Sequence, residues 1–251
     1  MKYKLQAQDA HGVHSPFVFA LYTQAIACKK QYYHFERIGR IRKKLLKSRE
    51  QIDVTDFGAG SKKMNSNQRK VAEIAKYSVS STKVSELLFR LVDYFNPKSI
   101  LELGTCLGVN TLYMNLASHK AEVITFEGCN EIAKVAQGNF RQFKNKPIKI
   151  VTGNLDDTLA PKVKEVPKLD FVFFDANHRK EPTLNYFRTC LSKAHEASVF
   201  IFDDIHWSDE MEEAWQEIQN HPDVTLTVDL FQVGLVFFRK KQPKQHFTLK
   251  F

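Results

Sequence analysis

From residue 98 onward, short apolar runs alternate with segments of helical period, and few folds accommodate that pattern. The runs are SILELG, EVITFEG, IKIVTG, LDFVFFD and SVFIFDD, separated by NTLYMNLAS, NEIAKVAQGNF, DTLAPKVKEV and TLNYFRTCLSKA. Near-continuous Val, Ile and Phe imply strands buried on both faces, and helix-length connections imply parallel pairing. After the helix-like SDEMEEAWQEIQNH, the runs VTLTVDL and GLVFFRK stand close enough for an antiparallel hairpin reversing through Gln232–Gly234. The expected class is therefore α/β: five parallel strands, a C-terminal antiparallel hairpin, and helices on both faces.

Residues 1–95 have a different texture and carry helical spacing. In SPFVFALYTQAIA, Ser15 suits an N-cap, Pro16 the first helical position, and Phe17, Leu21 and Ala25 share a face. ERIGRIRKKLLKS sets Ile38, Ile41 and Leu45 against a basic face, and STKVSELLFRLVDYF runs at helix period until Asn96-Pro97 stops it.

Two glycine loops compete for the role of a nucleotide-type site: DFGAGS at Asp56–Ser61 and ILELGTCLGVNT at Ile100–Thr111. Such a site needs a strand to deliver the chain, glycines to admit the ligand to the backbone, and a helix starting at once. It also needs an acid at the end of the next strand, about twenty residues on, to bind ribose hydroxyls. The second loop meets all four conditions, with Glu127 as the acid. The first lacks the following strand and acid. It is expected to be a glycine turn between helices, or else a nest in which Gly58, Gly60, Ser61, Lys62 and Lys63 hold an anionic group of a substrate.

The motif Glu102-x-Gly104-x-x-x-Gly108 is not the GxGxxG of a nicotinamide site. It resembles motif I of the class I S-adenosylmethionine-dependent methyltransferases, closest to the catechol and caffeoyl-CoA O-methyltransferase type, from about Tyr77 to the C-terminus. The resemblance implies a Rossmann-like methyltransferase sheet in a domain of residues 77–251, behind a helical lid or substrate region of residues 1–76. The cofactor it implies is S-adenosylmethionine. YSVSSTKVSELL would lie over the methionine end, Glu127 would hold the ribose and GNLDD would line the adenine. The implied cofactor-binding set is Ser80, Glu102, Gly104, Thr105, Gly108, Asn110, Glu127, Gly128, Asn154 and Asp175. The opening HGVHSPFVF also resembles a group of bacterial methyltransferase-like proteins, which says nothing of substrate.

Two further strand ends, FVFFDANHRKEP and VFIFDDIHWSDE, bring carboxylates to the ligand side of such a sheet. Asp175, Asp203 and Asp204 would repel one another unless a cation or protons neutralised them, and oxygen ligands suit Mg2+ or another divalent ion. The resemblance implies the same metal set, because cation-dependent members carry Asp at the first position and Asp-Asn at the pair. They also carry a Lys base where this chain has His178, so Asp175 and His178 are the expected catalytic residues. Asn to Asp and Lys to His are two departures, and both put a catechol-like substrate in doubt. The alternatives are structural: Asp175 as a cap or cofactor contact, Asp203 and Asp204 as caps of the helix near Ser208, and His178 as a surface loop residue. Trp207 can wall an acceptor pocket. His206, and His11 and His14 beside Gly12, are weaker candidates.

Composition narrows the partners. A net charge of +9 admits RNA as substrate, against a plain lysine-rich surface in RIGRIRKKLLKSR and RKKQPKQ, and no aromatic-basic recognition module accompanies it. No apolar run approaches a membrane span, the N-terminus lacks a signal-peptide core, and the four scattered cysteines suit a reducing cytoplasm. The expected activity is methylation of a small hydroxylated acceptor at oxygen, with divalent-cation assistance. RNA base methylation and a non-catalytic cofactor-binding or interaction protein are the alternatives. A homodimer is compatible with everything above.

Overall fold

The computed structural model describes residues 3, 7–9, 12–55, 68–240 and 242–251. The chain packs as two units, residues 29–158 and residues 1–28 with 159–251. Helix α1 (Pro16–Leu21) opens the second of these as the sequence dictates. Ser15 caps it by accepting from the Val18 amide at 3.4 Å, Pro16 fills the first helical position, and a π turn continues it over Tyr22–Ile26.

The unit of residues 29–158 begins with α2 (Tyr33–Leu46), which buries Phe35, Ile38, Ile41 and Leu45 on one stripe. Strands β1 (Gln51–Asp53) and β2 (Gln68–Lys70) then pair antiparallel, Gln51 opposite Lys70, inside a region whose spacing reads as helical. The Asp56–Lys63 glycine loop between them lies outside the described residues, as does the nest proposed for it. Helix α3 (Val71–Tyr77) leads to α4 (Thr82–Phe95), which Ser81 caps by accepting from the Val84 amide and which stops at Asn96 in the left-handed region.

From here the expected alternation appears: β3 (Ser99–Leu103), α5 (Val109–Ala117), β4 (Glu122–Glu127), α6 (Asn130–Phe140) and β5 (Ile148–Thr152). The three strands are parallel in the order β3-β4-β5, with Glu102 beside Thr125 and Phe126 beside Val151. One core joins the N-terminal helices to this half, since Ile38, Ile41, Ile74 and Phe89 cluster with Leu107, Leu112 and Tyr113. Each such side chain contributes about 1.5–3 kcal/mol by leaving water. Residues 33–54 and 71–75 therefore contribute to the same packed core as the loop after β3.

Helix α7 (Leu155–Glu165) leads into the other unit, which holds β6 (Phe171–Phe174), α8 (Lys180–Leu191), β7 (Val199–Asp203), α9 (Asp209–Asn220), β8 (Leu226–Asp229), β9 (Val233–Phe237) and β10 (Gln245–Thr248). β6 and β7 are parallel and wholly buried, and the Phe174 and Phe202 rings stack at 4.2 Å. β9 runs antiparallel to both β7 and β8. β10, which the polar tail gave no reason to expect, adds parallel to β8.

The hairpin turns earlier than Gln232–Gly234. It closes over Leu230–Gln232, where the Leu230 amide donates to the Val233 carbonyl, and Gly234 lies within β9 opposite Phe202. The reason is packing rather than turn geometry, because a Cβ on Gly234 would meet the Trp215 ring at 2.6 Å. Among the described residues no helix is long and apolar enough to cross a membrane.

Gly108 is where the fold depends most on a missing side chain. Its φ is 77°, and a Cβ there would stand 2.4 Å from Phe140 Cε1. Gly108→Ala is expected to lower the midpoint of thermal unfolding by about 5–15 °C, because left-handed strain and overpacking together cost roughly 2–4 kcal/mol. Differential scanning calorimetry checks this, and an unchanged midpoint would show that the loop relaxes freely.

Candidate active site

In the unit of residues 29–158, the loop after β3 is held by backbone and acid together. The amides of Gly104 and Thr105 both donate to the Phe126 carbonyl, at 3.1 and 2.9 Å. Gly104 and Gly108 take positive φ, and so does Cys106 at 48°, a conformation a side chain adopts only under local constraint. The constraint is visible. Glu127 Oε2 accepts from the Cys106 amide at 2.8 Å, and Glu127 Oε1 accepts from the Cys129 amide at 3.0 Å. The two amides together fix the orientation of the carboxylate. Gly128 follows in the bend after β4, and the Gly153 amide returns to the Glu127 carbonyl at 3.0 Å.

Ser80 and Asn110, thirty residues apart, meet. Asn110 Nδ2 donates to Ser80 Oγ at 2.8 Å, and Asn110 Oδ1 accepts from Ser85 Oγ at 2.7 Å. Thr105 meets Thr125 at 2.6 Å. Glu102 faces elsewhere: it is fully buried and accepts from Thr111 and from Thr125, the latter at 2.6 Å. Its carboxylate ties the first turn of α5 to β3 and β4. Asn154 begins α7, where its side chain accepts from the Asp156 amide at 3.1 Å and its carbonyl accepts from Thr158.

In the other unit, Asp175 follows the end of β6 and faces His178, Oδ1 to Nε2 at 3.5 Å. Asn177, His178 and Asp204 all have positive φ, at 69°, 46° and 55°. Burial alone would lower the His178 pKa. The Asp175 hydrogen bond and charge, with the charge of Asp204, outweigh it, so the value is raised above the usual 6.5. Burial pushes the Asp204 carboxyl up from 3.8; His178 opposes the rise and Asp175 adds to it. Asp203 ends β7, buried, its backbone registered with Val233.

Among the described residues no three of His, Cys, Asp and Glu are grouped so as to hold a metal ion. His14 is exposed, and His11 lies outside the described residues.

His206 is placed otherwise than as a metal ligand. Its nitrogens face Asp229 at 2.8 Å and Glu212 at 3.1 Å, and its ring stacks on Phe231. The Asp229 hydrogen bond, only partly offset by burial, raises its pKa. Trp207 is 45% exposed, with its ring centroid 6.1 Å from that of His178.

Residues 101–205 match the family model described as a methyltransferase domain. This segment is thus similar to a methyltransferase domain, and it includes the Glu102–Gly108 motif. A catechol O-methyltransferase of Niastella koreensis is 32% identical over 139 residues, which are 54% of this chain and 62% of that protein. The chain thus spans about six tenths of that relative's length. An O-methyltransferase from Bacillus cereus in complex with S-adenosylhomocysteine superposes with a TM-score of 0.58 at 19% identity, covering 88% of this chain and 96% of its own. The SAH-bound Podospora anserina methyltransferase PaMTH1 gives 0.57 at 15% identity, covering 85% and 100%. At these identities the likeness is one of fold: the Rossmann-like class I methyltransferase architecture.

Several residues around these loops escaped the sequence. Thr111 and Thr125 donate to Glu102, Cys129 shares Glu127, and Asn139 Nδ2 donates to the Leu107 carbonyl at 2.9 Å. Asn177 adjoins His178, donates to Tyr186 at 3.3 Å, and keeps its side-chain oxygen buried without a hydrogen-bond partner among the described residues. The one available signal was Asn177-His178 directly after a strand-end Asp, a pair tolerant of left-handed backbone.

Proposed function

We propose that the protein is an S-adenosylmethionine-dependent O-methyltransferase and that its acceptor is a small hydroxylated aromatic compound. The observation that carries the cofactor assignment is Glu127, a carboxylate held in one orientation by two amides at the end of β4, where it would take the ribose hydroxyls. Gly104, Thr105, Gly108 and Gly128 would shape the backbone around the cofactor, Ser80 and Asn110 would border it, and Asn154 would stand at the adenine end. Glu102 would act from beneath, holding α5 in place. When bound, S-adenosylmethionine supplies an electrophilic methyl group on its sulfonium.

His178 Nδ1 takes the proton from the acceptor hydroxyl, while Asp175, facing Nε2, orients the ring and stabilises the imidazolium that results. Asn177 Oδ1, a buried acceptor on the preceding residue, would accept a hydrogen bond from a second hydroxyl. The exposed Trp207 face beside His178 favours an aromatic ring as the acceptor's body. The catechol O-methyltransferase similarity supports the same substrate class.

The test is a methyl-transfer screen with labelled cofactor across phenols, aliphatic alcohols and total RNA, each with EDTA or with Mg2+. The expected result is transfer to phenols. Transfer confined to RNA would overturn the acceptor class, and a tenfold or greater loss in EDTA reversed by Mg2+ would show that a divalent cation assists.

A further inference from the structure

Arg42 stands on the half-buried flank of α2, next to the core residue Ile41. Its Nη2 donates to the Val79 carbonyl at 3.4 Å, while Nη1 is buried with no hydrogen-bond partner among the described residues. The carboxylate that reaches its neighbour Tyr113 is Glu86, and Glu86 is engaged by the buried Arg90 at 3.8 Å. A buried guanidinium with an open donor is costly unless an anion completes it, and its planar fork matches a carboxylate. Burial also pulls the Arg42 pKa down, as expected of a cation without a counter-charge.

Its position selects the anion. Val79 precedes Ser80, whose hydroxyl is tied by Asn110 to the start of α5, directly after the Gly104–Gly108 loop. Glu127, which would take the ribose, grips that loop at Cys106, on its other flank. A cofactor anchored by its ribose at Glu127 then extends its amino-acid end toward Ser80, where the groups described above are neutral. S-adenosylmethionine carries a carboxylate at that end, and a carboxylate buried there requires a cation.

Building on the proposed cofactor, we infer that Arg42 binds the α-carboxylate of the amino-acid portion of S-adenosylmethionine. The residue is a ligand-binding one, contributed by a helix upstream of the methyltransferase motifs.

The experiment compares two ligands by isothermal titration calorimetry on the full chain. S-adenosylhomocysteine contains the amino-acid portion, and 5′-methylthioadenosine keeps the adenosine and sulfur but lacks it. Arg42→Met is expected to weaken S-adenosylhomocysteine about 10- to 100-fold and to change methylthioadenosine less than about twofold. Arg42→Lys should recover part of the loss, since it restores the charge without the fork. Because both ligands are read on one variant, a general loosening of the Val79–Ser80 segment would weaken them equally. Equal losses, or an unchanged S-adenosylhomocysteine affinity, would overturn the assignment. Binding of neither ligand by the unsubstituted protein would instead overturn the cofactor reading on which it rests.

Discussion

Glu127→Ala should raise the dissociation constant for S-adenosylmethionine by at least about a hundredfold, enough to remove binding at micromolar cofactor. The side chain has two tasks, and alanine abandons both. Under the proposed cofactor assignment it would lose charge-assisted hydrogen bonds to the ribose hydroxyls, each worth roughly 1.5–3 kcal/mol. It also releases the amides of Cys106 and Cys129, which it holds at 2.8 and 3.0 Å. Cys106 then keeps its positive φ with less to enforce it, so the loop is no longer preorganised for the ligand. Glu127→Gln separates the tasks. Its amide group offers one oxygen, and its NH2 would face one of the two backbone N–H groups. Glutamine is therefore expected to bind nearly as poorly as alanine, although its volume is almost that of glutamate. Calorimetry on both variants checks this, with the midpoint of unfolding as a control for folding. Affinity in Glu127→Gln within threefold of the unsubstituted protein would contradict the two-amide account.

The fold and the course of the glycine loop after β3 were legible for one reason: their signals are local. Strands buried on both faces must be continuously apolar, and FVFF and VFIF can be little else in a chain punctuated by helices. Glycines followed by a helix start, with an acid one strand later, likewise lie within thirty residues. What escaped depends on contacts that no local pattern encodes. Glu102 and Glu127 both sit in or at the end of strands beside glycines, yet one is buried against Thr111 and Thr125 and the other is fixed by backbone amides. Gly234 reads as a turn residue, but its lack of a side chain makes room for Trp215 from α9. The short pair β1-β2 has a burial pattern of mostly exposed positions, leaving almost no hydrophobic period to read. For the aspartates, sequence counts charges without their partners: the imidazole against Asp175 and the burial of Asp204 appear only in the structure.

That imidazole leads to the other large expected effect. His178→Ala should lower kcat by about 10²- to 10⁴-fold, the usual contribution of a positioned general base, while leaving cofactor affinity within about twofold because nothing in the cofactor clamp changes. The pH profile distinguishes a base from a residue that merely shapes the loop. A base must be neutral to accept a proton, and burial alone would have kept His178 neutral to lower pH. The Asp175 hydrogen bond and charge, with the charge of Asp204, reverse that and raise its pKa above 6.5. Turnover should therefore climb with pH through a midpoint above 6.5, and protonation should suppress it at lower pH. Asp175→Asn removes the largest raising influence while retaining the side chain's size, so the limb should move to lower pH as kcat falls. Substituting His178 with glutamine should abolish the limb altogether in the residual activity. Stopped assays with labelled cofactor from pH 5 to pH 9, at saturating acceptor, measure all three. A limb that persists unchanged in the His178→Gln protein would assign the proton transfer to another group.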